Sequence, residues 1–188
     1  MSTILALSGS PSRDSRTALL VEQAIIRLSA TGYDADHLVV RELPAADLLA
    51  GRADAPRLRD ALDQVAAADG LIVATPVYKA SYSGLLKAFL DLLPQAGLAG
   101  KTVLPLVTGG SIAHVLSLDY ALRPVLAALG ARHVVNGCFL LDKSIERQPD
   151  GTVRLVPEAE LRLFDVLDDF INALPLTTAL DSTAVPLL

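Results

Sequence analysis

The run Gly70-Leu-Ile-Val-Ala-Thr75 constrains this chain more than any other stretch. It is continuously apolar and of strand length, the pattern of a strand buried on both faces of a parallel sheet. Its expected end is Pro76, which has no N–H for a ladder and pushes Thr75 toward extended geometry. Beyond it lie Tyr78, Lys79, Ser81, Tyr82 and Ser83, and Leu85 then opens a new apolar helix. In open α/β sheets, ligands bind past the carboxyl ends of the strands, where the strand order reverses. A loop with two tyrosines and several hydroxyls suits a flat ring with polar edges there. The same residues would also serve an ordinary connection with partly buried tyrosines.

The rest of the chain repeats the alternation. Residues 3–8, 36–40, 101–107 and 133–141 read as further strands. Between them fall helical stripes: Val21, Ala24, Ile25 and Leu28 in 17–30, and Leu58, Leu62 and Val65 in 56–67. A helix over 84–93 is closed by Pro94, and one over 114–129 carries Pro124 inside it. The last helix, 158–174, has its stripe at Leu161, Phe164, Leu167, Ile171 and Leu174. Residues 41–53 show no assignable period, and 142–157 are polar with a turn signal at Pro149-Asp-Gly151. Five strands alternating with five helices define a doubly wound α/β domain over 1–174, with 175–188 as an extended C-terminal tail. Right-handed crossovers and short connections leave the flavodoxin-like order 2-1-3-4-5 as the expected one.

Bulk properties exclude several classes. A net charge of −5 without a basic cluster argues against nucleic acid as partner. No apolar run approaches the roughly 18–20 residues of a membrane span, and no secretory signal opens the chain. Cys138 is the single cysteine, which rules out an internal disulfide and suits a reducing cytoplasm. His37, His114 and His133 are far apart and lack a ligand spacing, so no metal site is expected. Ser111, His114 and Asp119 could be drawn as a hydrolytic triad, but there is no GxSxG elbow and they lie too close in sequence to converge.

Three loops remain, each following a strand at one edge of the sheet. Gly9–Thr17 precedes a helix N-terminus, a natural anion site, and supplies Ser10, Ser12, Ser15 and Thr17 with Arg13 and Arg16. It matches neither GxGxxG nor GxxxxGK[ST], which favours one terminal phosphate over a dinucleotide or triphosphate. The alternative is a polar loop that caps its own helix. Thr108-Gly-Gly-Ser111 offers amides and close backbone approach, or else a tight turn. A phosphate loop, an aromatic loop and a glycine loop together describe a pocket for flavin mononucleotide.

The stretches Gly9-Ser-Pro11, Thr75-Pro-Val-Tyr-Lys-Ala-Ser-Tyr-Ser-Gly84, Leu90-Asp-Leu-Leu-Pro94 and Thr108-Gly-Gly-Ser111 resemble the NAD(P)H-dependent FMN reductases. The likeness, with Asp119-Tyr-Ala-Leu-Arg-Pro124, is greatest to the reductase components of two-component alkanesulfonate monooxygenase systems. This resemblance implies FMN with its phosphate at Ser10, Ser15, Arg16 and Thr17. It implies the isoalloxazine beside Pro76, Val77, Tyr78 and Lys79, with Thr108, Gly109, Gly110 and Ser111 on its other edge. It further implies NAD(P)H as hydride donor, an FMNH2-dependent monooxygenase as partner, and dimers that pair into tetramers. The broad apolar circumference of 114–129 points independently to a homo-oligomer. A quinone or azo reductase with tightly bound FMN and a flavodoxin-type electron carrier are the competing expectations. Tyr120 lies four residues before Pro124, where the ladder must be disrupted and a π-bulge relieves the conflict. The expected role of Tyr120 is to loosen FMN for release.

Overall fold

The computed structural model describes residues 2–175. The chain runs through β1 (Ile4–Ser8), α1 (Arg16–Ala30), β2 (Ala35–Val39), α2 (Ala45–Leu49) and α3 (Pro56–Ala67). Then come β3 (Gly70–Tyr78), the short β4 (Ser81–Tyr82), α4 (Gly84–Leu90) and β5 (Thr102–Gly109). A π-helix (Leu118–Leu122) runs into α5 (Arg123–Ala128), followed by β6 (His133–Val134) and β7 (Cys138–Leu141). A hairpin of β8 (Ile145–Arg147) and β9 (Val153–Leu155) precedes α6 (Pro157–Ala173). The part of the expected tail that follows residue 175 lies outside the described residues.

Strand alternation builds the layers. Leu5, Leu7, Leu71, Val73, Val103 and Val107 face one side, against α3, α4 and α5. Ile4, Ala6, Ile72, Ala74, Leu104 and Leu106 face the other, against α1 and α6. Both faces are therefore covered, as a parallel sheet requires. The parallel order is β2-β1-β3-β5, with β6 and β7 end to end along β5 as the last position. This is the doubly wound order 2-1-3-4-5 expected from the alternation, so β1 and β3 flank the point where the winding reverses.

Four details differ from expectation. The central strand does not stop at Pro76; β3 continues to Tyr78, with Pro76 opposite Thr108. Pairing with β1 has ended at Ala74, so no partner on that flank asks Pro76 for an N–H. The expected fifth strand is split into β6 and β7. Pro105 of β5 sits between the two pairings, and Gly137 passes so close that an added Cβ would lie 2.5 Å from the Pro105 carbonyl oxygen and 2.8 Å from Leu118 Cδ1. The expected 114–129 helix opens into a π-helix ahead of Pro124, as the expected bulge requires, but its first part is also lost to a 3₁₀ turn (Ile112–His114), which leaves α5 short. Finally, α2 occupies the unassigned connection, and the polar segment after Asp142 forms the β8–β9 hairpin.

The close passage at Pro105 makes a prediction. Gly137→Ala should retain the far-ultraviolet spectrum yet lose about 1–3 kcal/mol of stability to overpacking. Urea unfolding checks this, as a lowered midpoint at unchanged slope.

Candidate active site

Ser83 joins the first two loops. Its hydroxyl accepts from the Leu86 amide at 3.0 Å, which makes it the N-cap of α4. It also donates to the Gly9 carbonyl, and its own amide donates to Thr75 Oγ1 at 3.0 Å. The Gly9 amide donates to the Ala74 carbonyl at 2.8 Å, drawing the β1 loop against the end of β3. Gly9 has to be glycine here, since a Cβ would lie 2.6 Å from Leu86 Cβ. The β5 loop is tied in by the buried pair Thr17 Oγ1 and Thr108 Oγ1, 2.7 Å apart. These contacts bring all three predicted loops to one edge of the sheet.

The phosphate loop has a coherent donor set. Ser10 is buried, and its Oγ accepts from the Ser12 amide at 3.3 Å. Ser15 is the N-cap of α1 and accepts from the Ala18 amide at 3.0 Å, so this side chain does cap its own helix. Each hydroxyl still holds a proton to donate outward, and so does one member of the Thr17–Thr108 pair. The first-turn amides of α1 have no intrahelical acceptor, and no acidic residue stands in that turn. Arg16 is exposed at the first helical position. Hydroxyl donors, free amides and a guanidinium form a set that fits a phosphate monoester. Two anchors went unrecognised in the sequence. Arg41 donates to the Ser12 carbonyl, and His37 Nε2 lies 2.9 Å from Ser8 Oγ. Burial pulls the His37 pKa below its ordinary value, against the opposing charges of Glu22 and Glu42.

The ring end is open. Pro76 is buried, Val77 half-buried, and Tyr78 47% exposed. Tyr78 pairs with Ser81 and Val77 with Tyr82 around the two-residue turn Lys79-Ala80, both at positive φ (50° and 64°). A two-residue hairpin turn of this kind needs positive φ twice, and non-glycine residues there cost roughly 1–2 kcal/mol each. Strain of this sort gathers at functional sites. Opposite, Gly109 packs on Phe139, where a Cβ would come within 3.0 Å, and on Val77. Gly110 has only Asp142 Oδ2 within 4 Å of a notional Cβ, at 3.8 Å, so its backbone faces open space. Ser111 caps the following 3₁₀ turn through the Ala113 amide at 3.3 Å. The site thus has a buried, donor-rich end and an exposed, flat-walled end, and FMN fits both.

Tyr120 stands apart from this cradle. It is 79% exposed on the π-helix, beside a groove of 460 Å³ lined by Ala80, Ala113, His114, Ser117 and Tyr120. The Arg123 amide reaches back five residues to the Leu118 carbonyl, widening the turn ahead of Pro124. Arg123 holds this geometry through Asp119 at 3.1 Å and the carbonyls of Val134 and Val135 at 3.0 and 3.3 Å. Ser117 Oγ is buried in the groove wall without a partner among the described residues. Cys138 belongs to the opposite core, where burial raises its thiol to about 11. It is a structural thiol.

Fold and site together define a flavodoxin-like α/β protein built to hold a mononucleotide at a switch point. The sequence matches the family of NADPH-dependent FMN reductases over residues 2–146, and the chain belongs to that family. It is 48% identical to an FMN reductase (NADPH) of Pseudomonas putida, over 91% of this chain and 87% of that one. An FMN reductase (NADPH) of Escherichia coli K12 is 44% identical, over 91% and 89%. Among solved structures, the apo form of an NADH:FMN oxidoreductase (EMOB) superposes with a TM-score of 0.86 at 46% identity, covering 95% of this chain and 92% of that one. The protein is an oxidoreductase with FMN as its flavin and NAD(P)H as its electron donor.

Ser83→Ala should remove a helix cap and free two loops at once. The expected loss is about 1–3 kcal/mol of stability, with weakened FMN binding. Flavin fluorescence quenching and urea unfolding on the same preparation measure both.

Proposed function

We propose that this protein reduces FMN with NAD(P)H in the cytoplasm and hands the reduced flavin to an FMNH2-dependent monooxygenase of the alkanesulfonate type. The observation that carries this reading is the asymmetry of the site. Hydroxyls and amides grip the phosphate end, whereas Tyr78, Gly110 and Ser111 leave the ring end exposed. A flavin held mainly by its phosphate, with its ring accessible, can enter and leave as a substrate.

When bound, FMN supplies the redox chemistry by accepting hydride from the nicotinamide. The chain's own residues do the rest. Ser10, Ser15, Arg16 and Thr17 fix the phosphate and with it the depth of the ring. Pro76, Val77, Tyr78 and Lys79 form one wall, and Thr108, Gly109, Gly110 and Ser111 form the other. No side chain needs to act as acid or base in the hydride step. Tyr120 acts on release: the π-helix sets it at the rim of the groove beside the ring wall, where it disfavours a closed, retained flavin.

A subunit contact completes this picture. Leu116 and Tyr120 are exposed and line the Ala80–Ser117 groove, and Val115 beside them is exposed as well. A second copy of the chain covers them, and dimers pair into tetramers. Light scattering at micromolar concentration should give a mass above that of the monomer; a monomeric mass overturns the assignment.

Purified protein alone should oxidise NAD(P)H when free FMN is added, faster than with a quinone or an azo dye at matched concentration. Failure to do so removes the reductase reading. Preference for the quinone would make FMN a resident group. Deleting Tyr120 should yield protein that purifies yellow and turns over free FMN weakly. A folded, colourless, fully active deletion variant would disprove the release role.

A further inference from the structure

An arginine-lined cleft lies beside the phosphate loop. A cleft of 620 Å³ separates Arg13, Ser15 and Arg16 from Arg147 of β8. Three guanidiniums line it against the carboxylates of Asp14 and Glu146. Among the described residues, the guanidinium of neither Arg13 nor Arg16 makes a hydrogen bond or ion pair. Arg147 is only loosely engaged, 4.0 Å from Glu22 Oε2 and donating to the Gly151 carbonyl at 3.3 Å. Uncommitted arginines around a concavity call for an anion, and their planar forks match phosphate oxygens in pairs.

FMN does not use them all. Its single phosphate is met by the hydroxyls of Ser10, Ser15 and Thr17 together with Arg16, which leaves Arg13 and Arg147 over. The other phosphorylated molecule in each turnover is the hydride donor. NADPH differs from NADH only by a phosphate monoester on the adenosine ribose. The cleft shares Ser15 and Arg16 with the phosphate loop, which sets it beside the flavin site and within the span of a dinucleotide that reaches that site. The relatives' names leave the donor open: NADPH in the Pseudomonas putida and Escherichia coli reductases, NADH in the structural neighbour.

We propose that Arg13 and Arg147 bind the 2′-phosphate of NADPH and so set the preference between the two nicotinamide donors. The proposal rests on the FMN reductase reading above. Calorimetric titration of the full-length protein with adenosine 2′,5′-bisphosphate, ADP and inorganic phosphate tests it without any turnover. The bisphosphate should bind at least about tenfold more tightly than ADP, and the R13A/R147A double variant should lose that difference. Arg147→Lys should keep part of it, because charge remains while the fork is lost. In parallel, the ratio of kcat/KM for NADPH to that for NADH should fall about tenfold or more in the double variant. If the double variant does not fold, R13Q and R147Q singly carry the same comparison. Equal binding of bisphosphate and ADP, displacement by inorganic phosphate at the same affinity, or an unchanged donor ratio would each overturn the proposal. Should neither donor be oxidised with FMN, the reductase reading fails, while the titration still decides whether the cleft recognises a 2′-phosphate.

Discussion

The site depends on the bonds that converge on Ser83. In a doubly wound sheet, loops leave the carboxyl edge independently, each with its own conformational freedom to lose. Here one buried hydroxyl caps α4 and takes up the Gly9 carbonyl, while the same residue's amide is satisfied by Thr75. All these groups lie in low dielectric, where an unmade bond costs more than a made one contributes. The phosphate loop and the aromatic loop are therefore set relative to each other before any ligand arrives. The Thr17–Thr108 pair extends the same tie to the glycine loop. Preorganisation of this kind lets a small cradle recognise its ligand while leaving one end open.

That openness has an energetic logic. Burying the flavin ring on both faces would add apolar contact at about 25 cal/mol per Å² and slow its departure. The chain instead keeps small residues on the rim, at Ala80, Gly110 and Ala113, and places its aromatics at the surface. The strained Lys79-Ala80 turn stays in place because β3 and β4 pair on either side of it and α4 follows directly.

What could be read in the sequence follows from how local each signal is. The continuous apolar runs of β1, β3 and β5 and the periodic stripes of α1 and α3 report burial directly. The stripe expected for α6 lies partly off the buried face, since Leu161 is exposed and Ala159, Leu163, Leu167 and Phe170 are the buried residues. The three loops were visible as strand ends rich in hydroxyls, glycines or aromatics. Ser83 could have been found as a serine before a helix start, but its bond to Gly9 spans 74 residues and leaves no local mark. Arg41 and His37, which steady the phosphate loop from β2 and its exit, are invisible for the same reason. The hairpin at Lys79-Ala80 lacks the asparagine or glycine that usually announces such a turn. Pro124 did signal the break in its helix, since a missing N–H is a property of the residue itself.

The split between β6 and β7 bears on how this protein survives at high concentration. A sheet edge exposes a row of unpaired amides and carbonyls, on which a foreign strand can dock. Here the last position of the sheet is two short pieces, separated where Gly137 is pressed against Pro105. An incoming strand would find two registers out of step and no continuous template between them. The proline that interrupts the ladder thus guards the flank of the sheet farthest from β2.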